Sequence, residues 1–355
     1  MFEKVNDIPI PPGTIAPWPS NLAVCWLDTR NITFAAVIQG NNVNIGSWDN
    51  KNESPVQWDT IVIPDLTGED AENKGCNDVM TVGLVHPNAR NFPVLIVGST
   101  QNIQVYDVRK GNNKCLLQVS LETALQGFES EADQLLGRYC RGVSCNDNTI
   151  LIGTHCGAIV LVMCNGESSF TTRRALKEHN TSIADIATCR YDEITASGDA
   201  NGEIIIWQKP MKAVQLNIKT EQNINVMNIL RKQVIVGTMT GLIRFYAVTT
   251  GELMCELTSH ARPVTAISVA PESAYVLTAA EDGTCMVSKL HTRKPHAYQV
   301  EFRFSDCDPN LQIVGAQFTN GRGSAIAIAG YDQNNLISYK IVKKASTAAS
   351  STSNV

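Results

Sequence analysis

The 355-residue sequence has no excess of basic charge: 29 Lys and Arg stand against 34 Asp and Glu, for a formal net charge of -5. A dedicated nucleic-acid binder needs a basic surplus to neutralise phosphates, so that class is disfavoured and no nucleic-acid partner is expected. Long apolar runs are missing too. Nothing reaches the roughly eighteen consecutive apolar residues of a membrane-spanning helix, and the start MFEKVNDIPIPPG places charges and prolines where a secretory leader has its apolar core. The expectation is a cytoplasmic protein without integral membrane contact. Eleven cysteines occur, an odd number with no C-x-x-C pair, which suits small buried thiols in a reducing compartment.

Nucleotide and hydrolase signatures are also lacking. There is no G-x-x-x-x-G-K-[ST] phosphate cradle, no G-x-G-x-x-G opening a helix and no G-x-S-x-G elbow. His86, His155, His291 and His296 are isolated, and Cys140, Cys145, His155 and Cys156 have a spacing too loose for zinc. Catalytic residues, metal and cofactor are therefore all expected to be none. Turns account for the many glycines, because tight turns between strands need positive φ.

What the sequence does contain is a recurring hairpin: a β-branched apolar run, a small residue, a polar turn, then an alternating strand. Copies begin at VLIVGSTQNIQVYDV (94–108), TILIGTHCGAIVLVM (149–163), EITASGDANGEIIIWQK (193–209), QVIVGTMTGLIRFYAV (233–248), YVLTAAEDGTCMVSKL (275–290) and AIAIAGYDQNNLISYKI (325–341), with a weaker one at 32–48. If Gly98, Gly153, Gly198, Gly237, Ala279 and Gly330 are equivalent, the intervals are 55, 45, 39, 42 and 51 residues. One short apolar strand precedes and one follows each hairpin, which makes four strands per unit, the composition of a propeller blade. Seven such units can close into a ring without exposed end blades. The last copy lacks a fourth strand, so residues near 3–10 are expected to supply it.

Two blades carry a family pattern. EHNTSIADIATCRYDEITASGDANGEIIIWQ places His179, Ser197, Asn201 and Trp207 where WD-repeat proteins have their buried His, Ser/Thr, Asp and Trp; SHARPVTAISVAPESAYVLTAAEDGTCMVSKL places His260, Thr278 and Asp282, with Ser288 in place of the Trp. The chain thus resembles the WD-repeat family. The segments NLAVCWLDTRNITFAAVIQG and TTGELMCELTSHARPVTAI, with the terminal GAQF and AIAIAGYD, resemble one branch of it along the whole length. With the repeats, the resemblance implies an all-β, seven-bladed propeller over 1–342 and a non-catalytic scaffold for other proteins, while the Ser/Thr/Ala composition of 343–355 reads as a disordered tail. The His, Ser/Thr and Asp/Asn side chains read as a structural network, since buried polar groups need partners.

On a propeller, the loops between blades share a face with the turns between second and third strands. Sorted this way, one face collects Glu69, Asp70, Glu72, Asp199, Glu281, Asp282, Asp306, Asp308 and Asp332. A basic peptide is the expected partner there, with Tyr331 and His155 as nearby contacts. The opposite face collects Arg90, Lys110, Arg190, Lys209, Lys212, Arg293, Lys294, Lys343 and Lys344 and is expected to be basic. Three smaller features remain. VYDVRK (105–110), with Asp107 and Arg109, resembles the pattern of propellers that serve as substrate receptors of cullin-type ubiquitin ligases. Ser353 and Val355 resemble the end of a PDZ ligand. LETALQGFESEADQLLGRY (121–139) has partial helical spacing of Leu121, Leu125, Phe128, Leu135 and Leu136, so a helical excursion or partner-binding flap is expected. A homo-oligomer stays open, and a propeller enzyme is the disfavoured alternative.

Overall fold

The computed structural model describes residues 2–50, 55–64, 76–109, 111, 113–189, 191–208, 211, 213–291 and 298–342. The tail over 343–355 lies outside these residues, as do Glu69, Asp70 and Glu72. Seven antiparallel sheets follow one another along the chain; the strands of the first six lie in sequence order, and the seventh takes its outer strand from the N-terminal residues. The innermost strands are Ala23–Leu27, Val79–Val85, Cys140–Asn146, Ile183–Cys189, Ile224–Leu230, Val264–Ala270 and Ile313–Phe318. They contact one another from blade to blade, so the sheets stand radially around a common axis. The architecture is the expected seven-bladed β-propeller.

The second strands are buried on both faces: Val94–Ser99 and Gln233–Thr238 have every residue buried. Sheets packed face to face exclude water on both sides, so these strands read as continuous apolar runs. Outer strands such as Phe170–Lys177 and Leu253–Thr258 alternate or turn polar because one edge meets solvent.

The small residue that marks each hairpin has a different reason from the one expected. Gly98, Gly153, Gly198 and Gly237 lie within strands rather than turns. A Cβ on Gly153 would sit 2.3 Å from the Arg141 carbonyl and 2.4 Å from Cγ2 of Ile183 in the next blade. One on Gly237 would sit 2.6 Å from Cγ1 of Val264, again in the next blade. Close approach between blades therefore excludes a side chain here. The seventh blade needs a correction of one residue: Gly198 pairs with Asp185 and Ala279 with Ala266, and the equivalent pairing is Ala329 with Gly315, not Gly330.

Ring closure follows the expected route. Phe2–Lys4 and Ile8–Pro9 both pair antiparallel with Asn335–Ile341, the third strand of blade seven. Between them Val5 N–H still reaches the Ser338 carbonyl at 2.9 Å. Phe2 is buried, 5.3 Å from the Phe304 ring, which in turn meets Tyr339 at 5.6 Å. The clasp is thus apolar as well as hydrogen-bonded.

The inner strands are also cross-linked by side chains. Asn225 Nδ2 donates to the Val264 carbonyl (2.7 Å), and at the equivalent position Thr265 Oγ1 donates to Ile313 (2.8 Å). Asn228 Nδ2 reaches the Ile267 carbonyl (2.9 Å), and Ser268 Oγ accepts from Phe318 N–H (3.0 Å). Asn228, Ile267, Ser268 and Phe318 line a central channel of about 950 Å³.

Candidate functional site

Because strands alternate in direction, the turn between second and third strands and the link to the next blade emerge on one side, here called the upper face. The WD-type residues sit just beneath it. In blade four, His179 pairs through Nε2 with Ser197 Oγ at 2.7 Å and through Nδ1 with Asp199 at 3.2 Å, and Trp207 Nε1 donates to Ser197 Oγ at 2.9 Å. All four are buried. The network is present with one substitution of role: the carboxylate comes from Asp199, not from the Asn201 position. Asn201 is exposed and contributes its backbone N–H to Asp199 Oδ1 at 3.0 Å.

Asp199 stands two residues earlier, at the end of its strand, so it can face His179 while capping the turn. Its Oδ1 also accepts from Glu203 N–H at 2.9 Å. Thr238 does the same in blade five, accepting from Leu242 N–H at 2.9 Å. Burial alone would raise the Asp199 carboxyl, but the bonds from His179 and Glu203 N–H outweigh it and hold the group below its usual range. Asp199, placed in the sequence among face-contact candidates, therefore belongs to the interior.

Blade six has a looser version. His260 Nε2 pairs with Thr278 Oγ1 at 2.9 Å, while its Nδ1 is 3.7 Å from Asp282. Asp282 instead accepts from Ala261 N–H (2.7 Å) and Thr284 N–H (2.9 Å), and Ser288 is buried where the Trp would stand. Burial lowers the His260 pKa despite the carboxylate beside it. The donor atoms of His179, Asp199 and Glu203 lie within 4.8 Å of one another, yet both His179 nitrogens are already used by Ser197 and Asp199. The cluster belongs to the network.

Among the described residues the upper face is dominated by carboxylates. Asp78, Glu122, Glu131, Glu178, Glu221, Asp308 and Asp332 are exposed there and Glu281 is half-buried, with Arg262 the one fully exposed base on its loops. Asp306 accepts from Tyr339 O–H at 2.7 Å, and Asp308 caps Asn310 N–H at 3.0 Å. Tyr331 is 42% exposed beside Asp332, as a contact residue must be. His155 is not. It is buried, with Nε2 3.2 Å from Glu129 Oε1, and cannot meet a partner directly.

The opposite face does not reproduce the expected basic surface among the described residues. Arg30, Arg231, Lys232 and Arg322 are interspersed with Asp28, Asp192, Glu193 and Glu272, and Arg322 pairs with Glu272 at 3.4 Å. Arg90 is buried, 3.6 Å from Asp107. Lys110, Arg190, Lys209, Lys212, Arg293, Lys294, Lys343 and Lys344 lie outside the described residues, as do Ser353 and Val355. In VYDVRK, Asp107 is buried and Arg109 folds back on it, donating from Nε at 2.8 Å, so the motif's charges satisfy each other.

The insertion after blade two forms two short helices, α1 (Leu121–Ala124) and α2 (Glu131–Leu136). Its apolar residues do not form one face. Leu121 and Leu125 are fully buried between blades two and three, whereas Leu135 and Leu136 are 89% and 84% exposed. Two contacts from blade three hold the segment, and two further ones are internal to it. Phe128 lies under Arg174, 5.6 Å from the ring centre, and its carbonyl accepts from Lys177. Arg138 grips Glu129 with two bonds, 2.8 and 2.9 Å, beside His155. Ser130 and Asp133 close a capping box, which holds the Asp133 carboxyl below its usual range. The exposed leucine pair escaped the sequence reading because helical spacing alone does not tell which apolar residues find a wall to pack on.

Comparison with known proteins agrees with this geometry. The protein-family model WDR54 matches residues 1–342. Rat "WD repeat domain 54" is 26% identical over 352 residues, covering 96% of this chain and 99% of that protein. Human WD repeat-containing protein 54 is also 26% identical, over 344 residues, covering 94% and 97%. A chain in the crystal structure of the mitotic checkpoint complex superposes with a TM-score of 0.69 at 14% identity, over 96% of each chain, which establishes the shared fold alone. The branch to which NLAVCWLDTRNITFAAVIQG and AIAIAGYD point is thus the same one: the chain belongs to the WDR54 family of WD-repeat propellers.

Proposed function

We propose that this propeller is a non-catalytic scaffold that binds a basic segment of another protein on its upper face, in the cytoplasm. The carrying observation is the charge of that face, where, among the described residues, exposed carboxylates from the links after blades one, three, four and six, from blade seven and from the insertion surround Arg262, the one fully exposed base on its loops. Such a field raises the encounter rate of a cationic partner and disfavours an acidic one. A role without turnover is supported by the histidines nearest this face, which are buried: His179 is bonded to Ser197 and Asp199, His260 to Thr278, and His155 lies 3.2 Å from Glu129. A cytoplasmic setting accords with eleven free thiols and with no helix, among the described residues, long and apolar enough to cross a membrane. The ubiquitin-ligase receptor reading draws no support from VYDVRK, because Arg109 is engaged by Asp107.

The test is charge reversal at upper-face carboxylates that no fold contact uses, three exposed and Glu281 half-buried: Glu178→Lys, Glu221→Lys, Glu281→Lys and Asp332→Lys together. A fluorescein-labelled Lys-rich peptide should bind the wild type and lose about tenfold or more in affinity for the variant, consistent with loss of a few screened charge contacts. Equal affinity for both proteins would remove the basis of the reading.

A further inference from the structure

The insertion is held down where it touches the ring and left bare at its tip. Leu121 and Leu125 fill the core between two blades, and blade three holds Phe128 through Arg174 over its ring and Lys177 at its carbonyl. The capping box at Ser130 then starts a helix whose last two residues, Leu135 and Leu136, are nearly fully in solvent. Two adjacent leucines thus leave apolar surface in water at one point of an otherwise packed insertion, surface that a partner would cover.

The segment 121–137 contains no lysine or arginine, while Glu122 and Glu131 are exposed on it and Asp133 caps the helix that bears the leucines. This charge selects the occupant. An anionic bilayer would be repelled by the same carboxylates, and a second copy meeting face to face would bring acid against acid. A cationic segment with its own apolar side satisfies both features at once.

We infer that Leu135 and Leu136 are the anchoring contacts for an amphipathic basic helix of a partner protein, whose lysines or arginines lie over Glu122 and Glu131. The inference rests on the acidic-face reading above and makes it specific, naming the position where apolar burial adds to charge steering. Charge brings the segment to the face; the leucine pair fixes where it settles.

The experiment uses the full chain and a synthetic helix of about eighteen residues, five turns, with lysine on one side and leucine on the other. Controls are the same peptide with glutamate for lysine, and one with the leucines dispersed around the helix. Fluorescence anisotropy should find binding of the first peptide only. Leu135→Ser with Leu136→Ser should weaken it about tenfold without changing thermal unfolding, because neither side chain is packed in the fold. Glu122→Gln with Glu131→Gln should weaken it and flatten its salt dependence.

Unchanged affinity in the leucine variant overturns the anchor. If the four-lysine reversal at Glu178, Glu221, Glu281 and Asp332 still abolishes binding in that case, the acidic-face reading stands alone. If neither set of substitutions matters, both readings fail. Equal binding of the leucine-dispersed peptide, a dimer in sedimentation velocity that the leucine variant loses, or preferential sedimentation with anionic vesicles would each also overturn the proposal.

Discussion

At Asp199 and Asn201, two residues of spacing decide which side chain carries the WD-type network. Family spacing points to Asn201, the counterpart of Asp282 in blade six, but a carboxylate placed at the strand end serves His179 and the turn together. The signal was present in the sequence as Ser197-Gly198-Asp199, since a carboxylate directly after the network serine and glycine reaches the same histidine. Asp199→Ala should cost about 2–3 kcal/mol in chemical denaturation, the penalty for stranding buried donors, whereas Asn201→Ala should stay within about 0.5 kcal/mol. Similar losses at the two positions would contradict the assignment.

Asp185 is the other residue with a measurable signature. Its carboxyl is pushed up to about 6 by burial, against the opposing effects of Met227 and Ile186 N–H and of Arg141. The folded state then holds a proton that the unfolded chain, with the ordinary value of 3.8, has released. Stability from this group is therefore lost as pH rises from about 4 to about 6. Wild type should lose ground to Asp185→Asn over that interval in urea melts, and NMR should place the Asp185 midpoint near 6. A stability difference that does not vary with pH would refute the assignment.

At the scale of elements, the hairpins were legible because alternation and turn residues are local properties. All seven appear where the repeats placed them, and the missing outer strand is supplied by the N-terminal residues. The reason for the strand glycines was not legible, since it lies in the neighbouring blade. Gly153→Ala should destabilise by about 3 kcal/mol, because overpacking would force blades three and four apart. The clasp predicts that a chain starting after Pro12 melts at least about 5 °C lower, having lost the pairing of blade seven and the Phe2 contact with Phe304. An unchanged melting temperature would mean that the ring closes without it. The insertion was half legible: helix-forming residues were evident, but which leucines pack depends on the walls that blades two and three offer.

For the whole molecule, strand order converts a linear list of loops into two faces, and the acidic one survives that sorting while its supposed basic counterpart is mixed among the described residues. His155 and Asp199 left the face for the interior because each lies against a buried polar partner there, Glu129 and His179. What remains is a surface of exposed acids with a few apolar side chains, rigidly mounted on a ring that closes on itself. Its central claim, electrostatic capture of a basic partner, is tested most directly by the salt dependence of association. The stopped-flow on-rate of a labelled Lys-rich peptide should fall steeply with added salt for the wild type, as screening shortens the reach of the face toward about 10 Å. It should be nearly flat for the four-lysine variant; a flat on-rate in the wild type would contradict the account.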